Sequence, residues 1–301
     1  MQQRMGHSLC KWVIGLTLIA SPRMGAAEGW QGIESSLGAR GIPQASAGNP
    51  GGRALLAGLG ELPIVRREEA ILEALNKGYV PDFMRTMRPV TIHERGHHLT
   101  FWVMPDYLAL GHNNDFIHIP LTFFSARKIA NSWGFVLPTS KMVDVIFQQA
   151  ECILWPRIYP ADAAMMSVAW LEAHSSLIQS QRFGELDFTR LVAGHKKDIV
   201  LSPRLKYREK RIAIYGWQNI RNGENIQPLS TWHGDRYVDY SHGLRLVGPM
   251  ALLDGRMMPI KQIMADPELN VLLSREGPLQ VDQLLREPRL LPESQEIMAQ
   301  R

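Results

Sequence analysis

The chain has little cysteine. Only Cys10 and Cys152 occur in 301 residues. Cys10 falls in a stretch expected to be removed, which leaves Cys152 alone. One thiol cannot close an internal disulfide, so a stapled scaffold is excluded and a hydrophobic core must hold the fold. Long apolar runs are also lacking. The run from Trp12 to Ala20 falls well short of the roughly 20 residues of a spanning helix, and no later segment is longer. Charge of one sign is scarce as well. The chain holds 33 basic and 29 acidic residues, net +4. Three of the basic residues (Arg4, Lys11, Arg23) and no acidic one lie in residues 1–27, so the remainder carries only +1. A nucleic-acid binder needs a concentrated basic face, and this balance argues against one. No internal repeat is present, which excludes a solenoid or an array.

The first residues read as an export signal. Arg4 and Lys11 form a positive segment, Trp12 to Ala20 is apolar, and Gly25-Ala26-Ala27 offers small residues for cleavage. A periplasmic or secreted protein follows, with no transmembrane segment after cleavage. Residues 28–60 are rich in Gly, Ala and Ser, and such a composition buries too little surface to offset ordering entropy. They are expected to be a flexible linker. Residues 61–290 are expected to form a single globular domain with its site in 190–260, and 291–301 a polar tail.

The domain reads as α+β, with a helical middle, a β-rich N-terminal hairpin and a β-rich C-terminal half. Val90-Thr91-Ile92 and Leu99 to Val103 are β-branched and aromatic around a polar tip, the pattern of a hairpin. Phe116 to Ile119 reads as a further strand. Glu68–Asn76, Thr122–Trp133, Thr139–Ile153 and Ala161–Arg182 read as helices, with Thr122 and Thr139 as caps and Gly134 as a stop. Short strands follow at Asp198–Leu201, Arg211–Tyr215, Ile226–Thr231, Tyr237–Ser241 and Leu244–Val247. Ile260–Ala265 and Glu268–Ser274 read as helices. Cys152 then sits at a helix C-terminus, where the dipole disfavours a thiolate, and is expected to be buried and inert.

His93-Glu94-Arg95-Gly96-His97 matches the letters of the zinc-protease pattern H-E-x-x-H. That pattern requires two histidines one helical turn apart on one face. Gly96 and the flanking β-formers place these letters on a hairpin tip, so no zinc site is expected there. The polar loop Asp106 to Asp115 offers oxygen donors but lacks the glycine of an EF-hand loop.

The densest chemistry lies in His233 to Leu246, where two His, two Asp, two Tyr, two Arg and a Ser fall within fourteen residues. On a strand, Tyr237, Asp239 and Ser241 share one face, and Val238, Tyr240 and His242 the other. Ser241 and His242 are then unlikely partners. His233 arriving across a turn makes a hydroxyl, imidazole and carboxylate converge, the logic of an activated nucleophile. The expected roles are His233 as base, Asp239 orienting it, Ser241 as nucleophile or water-holder, and His242 and Arg245 as oxyanion or carboxylate binders. No cofactor is required. Zinc is the alternative, held by His233, Asp235 and His242, whose donors suit it. The six-residue step from His233 to Asp239 differs from the seven-residue step of exported zinc D,D-peptidases.

Ser241-His242-Gly243-Leu244-Arg245-Leu246, with His233-Gly234 upstream, resembles the active-site signature of L,D-transpeptidases. These are exported enzymes that cross-link peptidoglycan, with a His-Gly followed by Ser-His-Gly-Cys-(Ile/Val)-Arg-Leu. The resemblance covers about fifteen residues. It implies that His233 matches the upstream histidine, His242 the catalytic one and Arg245 the motif arginine. The chain departs from the signature where the cysteine nucleophile belongs, with one residue deleted, so transpeptidation through a thiol is not available.

Neighbouring segments offer substrate contacts. Lys196, Lys197 and Asp198 follow His195, either as a carboxylate-binding group or as a solvated charge run. Tyr215 and Trp217 flank Gly216, as a stacking platform or as core packing, and Tyr240 adds an aromatic. The sequence therefore points to an exported hydrolase of a cell-envelope or extracellular polymer, with a peptide or amide bond favoured. The alternatives are a non-catalytic envelope-binding or scaffold protein with a degenerate transpeptidase-like pocket, and a zinc-dependent peptidase.

Overall fold

Alternation of β-formers with polar residues builds the first hairpin. In the strands Arg88–Glu94 and His97–Val103, Val90, Ile92, Leu99 and Phe101 are buried on one face, with Thr91 and Thr100 paired on the other. In the computed structural model, which describes residues 41–287 except 46, 47, 61, 183, 185, 186 and 209, the chain turns at Arg95 and Gly96, with φ of 51° and 80°. Two successive positive φ values give the tight turn that matches strand twist. His93 faces His98 and Glu94 faces His97 across the pair. The H-E-x-x-H histidines therefore lie on opposite strands of a hairpin.

A second hairpin, Val247–Leu253 with Arg256–Pro259, pairs with the first through its longer strand, giving a four-stranded antiparallel sheet from both ends of the chain. Asp254 joins the two tips, accepting from His98 N at 2.8 Å and lying 2.6 Å from His97 Nδ1. The second four-stranded sheet runs His242–Gly243, Lys197–Ile199, Ile214–Gln218, Asn225–Ser230. Its first pair is parallel, with His242 opposite Lys197 and Gly243 opposite Asp198. Gly243 is required there, because a Cβ would lie 2.5 Å from Tyr107 Cδ1 and 2.7 Å from Lys196 Cβ.

The segment between His242 and Val247 links the sheets. It runs beside Met104–Leu108, with Met104 N donating to Leu246 O (3.0 Å) and Leu108 N to Leu244 O (2.8 Å). Val192 N donates to Pro105 O on the other side. Asp106 and Tyr107 are thereby pinned at the centre of the molecule.

Helices Phe123–Trp133, Ser140–Gln149 and Val168–Gln179 pack around these sheets. Thr122 caps the first from its hydroxyl at 3.2 Å and Gly134 ends it at φ 74°, as side-chain capping and left-handed freedom require. Thr139 caps the second, but that helix stops at Gln149. Cys152 is buried on the short strand Cys152–Ile153, parallel to Val192–Ala193, and is not at a helix end. The Ala161–Arg182 helix divides into a short 3-10 turn, an α-helix and a second 3-10 turn. The helix expected from Glu68 begins at Ile64 after Pro63, and Glu268–Ser274 contains a 3-10 turn at Leu269–Leu272.

The linker expected across 28–60 is corrected in its second half. Gly52–Leu56 is helical, and Ile42, Leu56 and Leu59 are buried in the core. The apolar residues are few but spaced to reach the core. The expected signal at 1–27, the first part of the linker and the tail at 291–301 lie outside the described residues. Among the described residues no helix is long and apolar enough to cross a membrane.

Candidate functional site

Tyr237 to Ser241 is not a strand. Asp239 captures the local backbone instead. Its Oδ1 accepts from Ser241 N at 2.7 Å and from Ser241 Oγ at 2.5 Å, and its Oδ2 from the Tyr237 hydroxyl at 3.0 Å. This side-chain turn competes with strand pairing, as short carboxylates do. The turn undoes the facial alternation, and His242 Nε2 lies 3.9 Å from Asp239 Oδ2. Ser241 donates to Asp239 and to no histidine, so its expected role as nucleophile is corrected to one of anchoring the carboxylate.

Burial opposes ionisation of Asp239, but His242 and the Ser241 hydroxyl outweigh it and hold the carboxyl down at about 2. Burial lowers His242 to about 4, with Asp239 opposing. At neutral pH a neutral imidazole therefore stands beside an ionised carboxylate. Both ring nitrogens of His242 are buried without a hydrogen-bond partner. His233 is half-buried and stacks on Tyr237, centroids 4.1 Å apart. Tyr237 in turn meets His242 edge-on at 5.7 Å. His233 thus stands over the Asp239–His242 pair and makes no hydrogen bond to Asp239.

The neighbours expected to bind substrate are mostly internal. Arg245 is fully buried, donates to Met104 O (2.7 Å) and Val192 O (2.6 Å), and lies 4.4 Å over the Tyr107 ring. Its expected role as carboxylate binder is corrected: the guanidinium ties three segments together. The solvated charge run at Lys196 to Asp198 is also corrected. Pairing with His242–Gly243 sinks Lys196, whose ammonium donates to Tyr240 O at 2.5 Å and lies 3.3 Å from His174 Nδ1. Burial lowers Lys196 to about 7 and raises Asp198 to about 7, with Arg245 opposing in the latter. Asp198 accepts from the Tyr107 hydroxyl at 2.6 Å. Lys197 alone remains half-open, its ammonium 4.6 Å over the Trp217 ring. Trp217 is buried and donates to His195 O (3.2 Å), while Tyr215 bonds Asp144 (2.9 Å), so the two form no platform. Tyr240 is buried, its hydroxyl accepting from Tyr159 N at 2.7 Å. Asp235 accepts from Arg127 at 3.0 Å, which removes it from the zinc set expected with His233 and His242.

A second cluster escaped the sequence reading. Asp106 is fully buried, with Oδ2 3.2 Å from His118 Nε2 and 2.5 Å from Arg182 Nη2, and Oδ1 3.3 Å from His195 Nε2. Burial opposes its ionisation, and the imidazoles of His118 and His195 outweigh it, so the carboxyl sits well below the usual range. Burial lowers both imidazoles, His195 to about 3. Asp106, His118 and His195 are the group able to hold a metal ion among the described residues. The available signals were weak: a histidine ending the apolar strand Asp115–His118, and an aspartate in a polar loop.

No family model, no curated protein and no solved structure matches the chain. The chemistry must therefore be read from the geometry. The surface beside His233 carries Tyr207 (82% exposed) and Trp232 (78% exposed). A groove there is lined by these rings with Arg208, Lys210 and Arg211. A small apolar cavity of about 40 Å³ is lined by Leu56, Ile71, Leu171 and Val238, with Asp239 and Tyr240 also on its wall.

Proposed function

We propose that the chain is an exported hydrolase acting on a peptide or amide bond of a cell-envelope or extracellular polymer. The single observation that carries the reading is the neutral, unpartnered imidazole of His242 beside the ionised Asp239. Such an imidazole takes a proton from water as the water attacks a carbonyl, and a fixed carboxylate stabilises the imidazolium that forms. The proton then passes to the leaving amine. Ser241 and Tyr237 hold Asp239 in place, and the half-open His233 stacked on Tyr237 forms the outer side. The export-like segment at 1–27 and the resemblance of His233 to Leu246 to a transpeptidase signature support a periplasmic or secreted location and an envelope substrate.

The 3.9 Å gap between His242 and Asp239 is longer than a hydrogen bond. Catalytic bonds commonly tighten only in the substrate complex. The test is digestion of purified peptidoglycan by the full chain, with mass spectrometry of released fragments. The wild type should release fragments bearing new amino and carboxyl termini. His242→Gln and Asp239→Asn should each lower the rate by on the order of 100-fold or more while the fold is retained.

A second reading is favoured by the exposed Tyr207 and Trp232 beside cationic side chains: a non-catalytic protein that binds an anionic envelope polymer. Co-sedimentation with peptidoglycan and no released fragments would establish it and sink the hydrolase.

A further inference from the structure

We propose that Asp106, His118 and His195 form a binding site for one divalent transition-metal ion, with zinc the best fit. The inference stands apart from the hydrolase reading and concerns different residues.

The donor set comes first. Two imidazole nitrogens and a carboxylate are a common zinc set, and metals preferring six oxygens are disfavoured by it. The spacing is the second argument. Zinc bonds of about 2.0–2.1 Å at tetrahedral angles place neighbouring donors roughly 3.3 Å apart. His118 lies 3.2 Å from Oδ2 of Asp106 and His195 3.3 Å from its Oδ1, and with one donor atom taken from each residue all three lie within 4.8 Å of one another.

The third argument is an orphan. His195 is fully buried, and neither ring nitrogen has a hydrogen-bond partner. Its Nε2 is near Asp106 Oδ1 without the alignment of a hydrogen bond. Buried polar atoms are satisfied in the large majority of cases, so an orphan directed at a carboxylate points to a third party between them. The carboxylate also has a fixed outer partner, Arg182 Nη2 on Oδ2, and His118 has Ser175 Oγ 3.2 Å from Nδ1. Outer partners of this kind orient metal ligands. In the bound form each Nε2 is unprotonated and each ring proton sits on Nδ1, for His118 facing Ser175.

The competing account is an ion-pair network without metal, Arg182 balancing Asp106 and His118 donating to it. Lys196 also interacts with Asp106 through its charge, but its ammonium is directed to Tyr240 O and His174. That account satisfies His118 but leaves His195 with only a 3.3 Å contact to Asp106 and no aligned hydrogen bond at either ring nitrogen.

The ligands belong to three separate segments: the loop after His97–Val103, the strand Asp115–His118 and the turn before Lys197–Ile199. An ion there fastens all three, so its removal should reach stability as well as metal content.

The purified full chain is loaded with zinc, freed of excess by gel filtration and assayed by elemental analysis. About one equivalent is expected. His118→Gln and His195→Gln should each retain less than about a tenth of it, and His97→Ala, on the exposed hairpin tip, should retain all. A chelator should lower the apparent Tm of the wild type by roughly 5–10 °C, as expected for an ion present at about 100 times its Kd in a chain of this size. Should the glutamine variants fail to fold, wild-type chain loaded with cobalt decides instead: intense visible bands of tetrahedral N/O coordination support the site. Their absence, less than about a tenth of an equivalent of zinc in the wild type, or loss of zinc on His97→Ala overturns it.

Discussion

Two buried aspartates organise this molecule, and they recruit their partners differently. Asp239 is held by Tyr237, Ser241 and His242, all within three residues. Asp106 is held by His118 and Arg182, 12 and 76 positions away, and by the more distant His195. The first cluster forms wherever its segment turns. The second exists only when the whole chain has folded. In the local cluster Asp239, Ser241 and His242 are buried as well, but the overlying His233 and Tyr237 are half-open toward solvent. A long-range cluster is sealed by the segments that build it and contributes chiefly to holding them together.

The largest effect should separate the two. Asp106→Asn leaves the Arg182 guanidinium buried without a counter-charge and should cost about 3–5 kcal/mol in urea unfolding. Asp239→Asn keeps its Tyr237 and Ser241 neighbours and should cost less than half as much. Both are measured in chelator, so that metal binding does not enter the difference. Equal costs would mean that the remote network is no more structural than the local one.

Acid should act on the local cluster next. The folded-state value of His242 is depressed to about 4 from an ordinary 6.5. Between these the unfolded chain binds more protons, so stability rises with pH there. The contribution is fully present above about pH 6.5 and is lost as pH falls through about 4, for roughly 3 kcal/mol in all. Asp239, depressed to about 2, adds a loss only below about pH 4. Urea titrations from pH 7 to 4 should show the slope, to which the buried His118, His174 and His195 also contribute because burial lowers them too, and His242→Gln should reduce it by one proton's share. An unchanged slope in the variant would place the titrating group elsewhere.

The contrast also explains what could be read from the sequence. Helix caps at Thr122 and Thr139 and the stop at Gly134 were legible because capping is decided within a few residues. So was the hairpin tip at Arg95-Gly96. The Tyr237–Ser241 strand was misread because alternation was weighed without the turn that Asp239 imposes. Lys196 was misread because its burial follows from pairing with His242–Gly243, some 45 residues on. Asp106 reads in the sequence as one oxygen donor of a polar loop, and nothing in its own neighbourhood announces His118 or His195 as partners. The density of reactive side chains from His233 to Leu246 is plain in the sequence, but their bonding is not, because it depends on the turn at Asp239.

Ser241→Ala comes third in size. It removes one donor from Asp239 and leaves Ser241 N and Tyr237 as partners, so a loss of about 1–2 kcal/mol is expected. Hydrolysis should fall by less than about tenfold, since the hydroxyl only anchors the carboxylate. Abolished turnover with an unchanged Tm would restore Ser241 as a nucleophile and remove water from that role.

The smallest structural effect should come from the outer rim, where the local cluster meets solvent. Trp232 and Tyr207 bury little, so each alanine variant should stay within about 0.5 kcal/mol of the wild type. Their consequence should appear in binding instead. A ring open on one face, with Arg208, Lys210 and Arg211 beside it, can stack on a sugar while the cations meet a carboxylate. The double variant should therefore sediment less with peptidoglycan, and the remaining binding should weaken further with added salt as the exposed cations are screened. If sedimentation is unchanged while His242→Gln abolishes it, the polymer is held at the buried pair, and the rim plays no part in recognition.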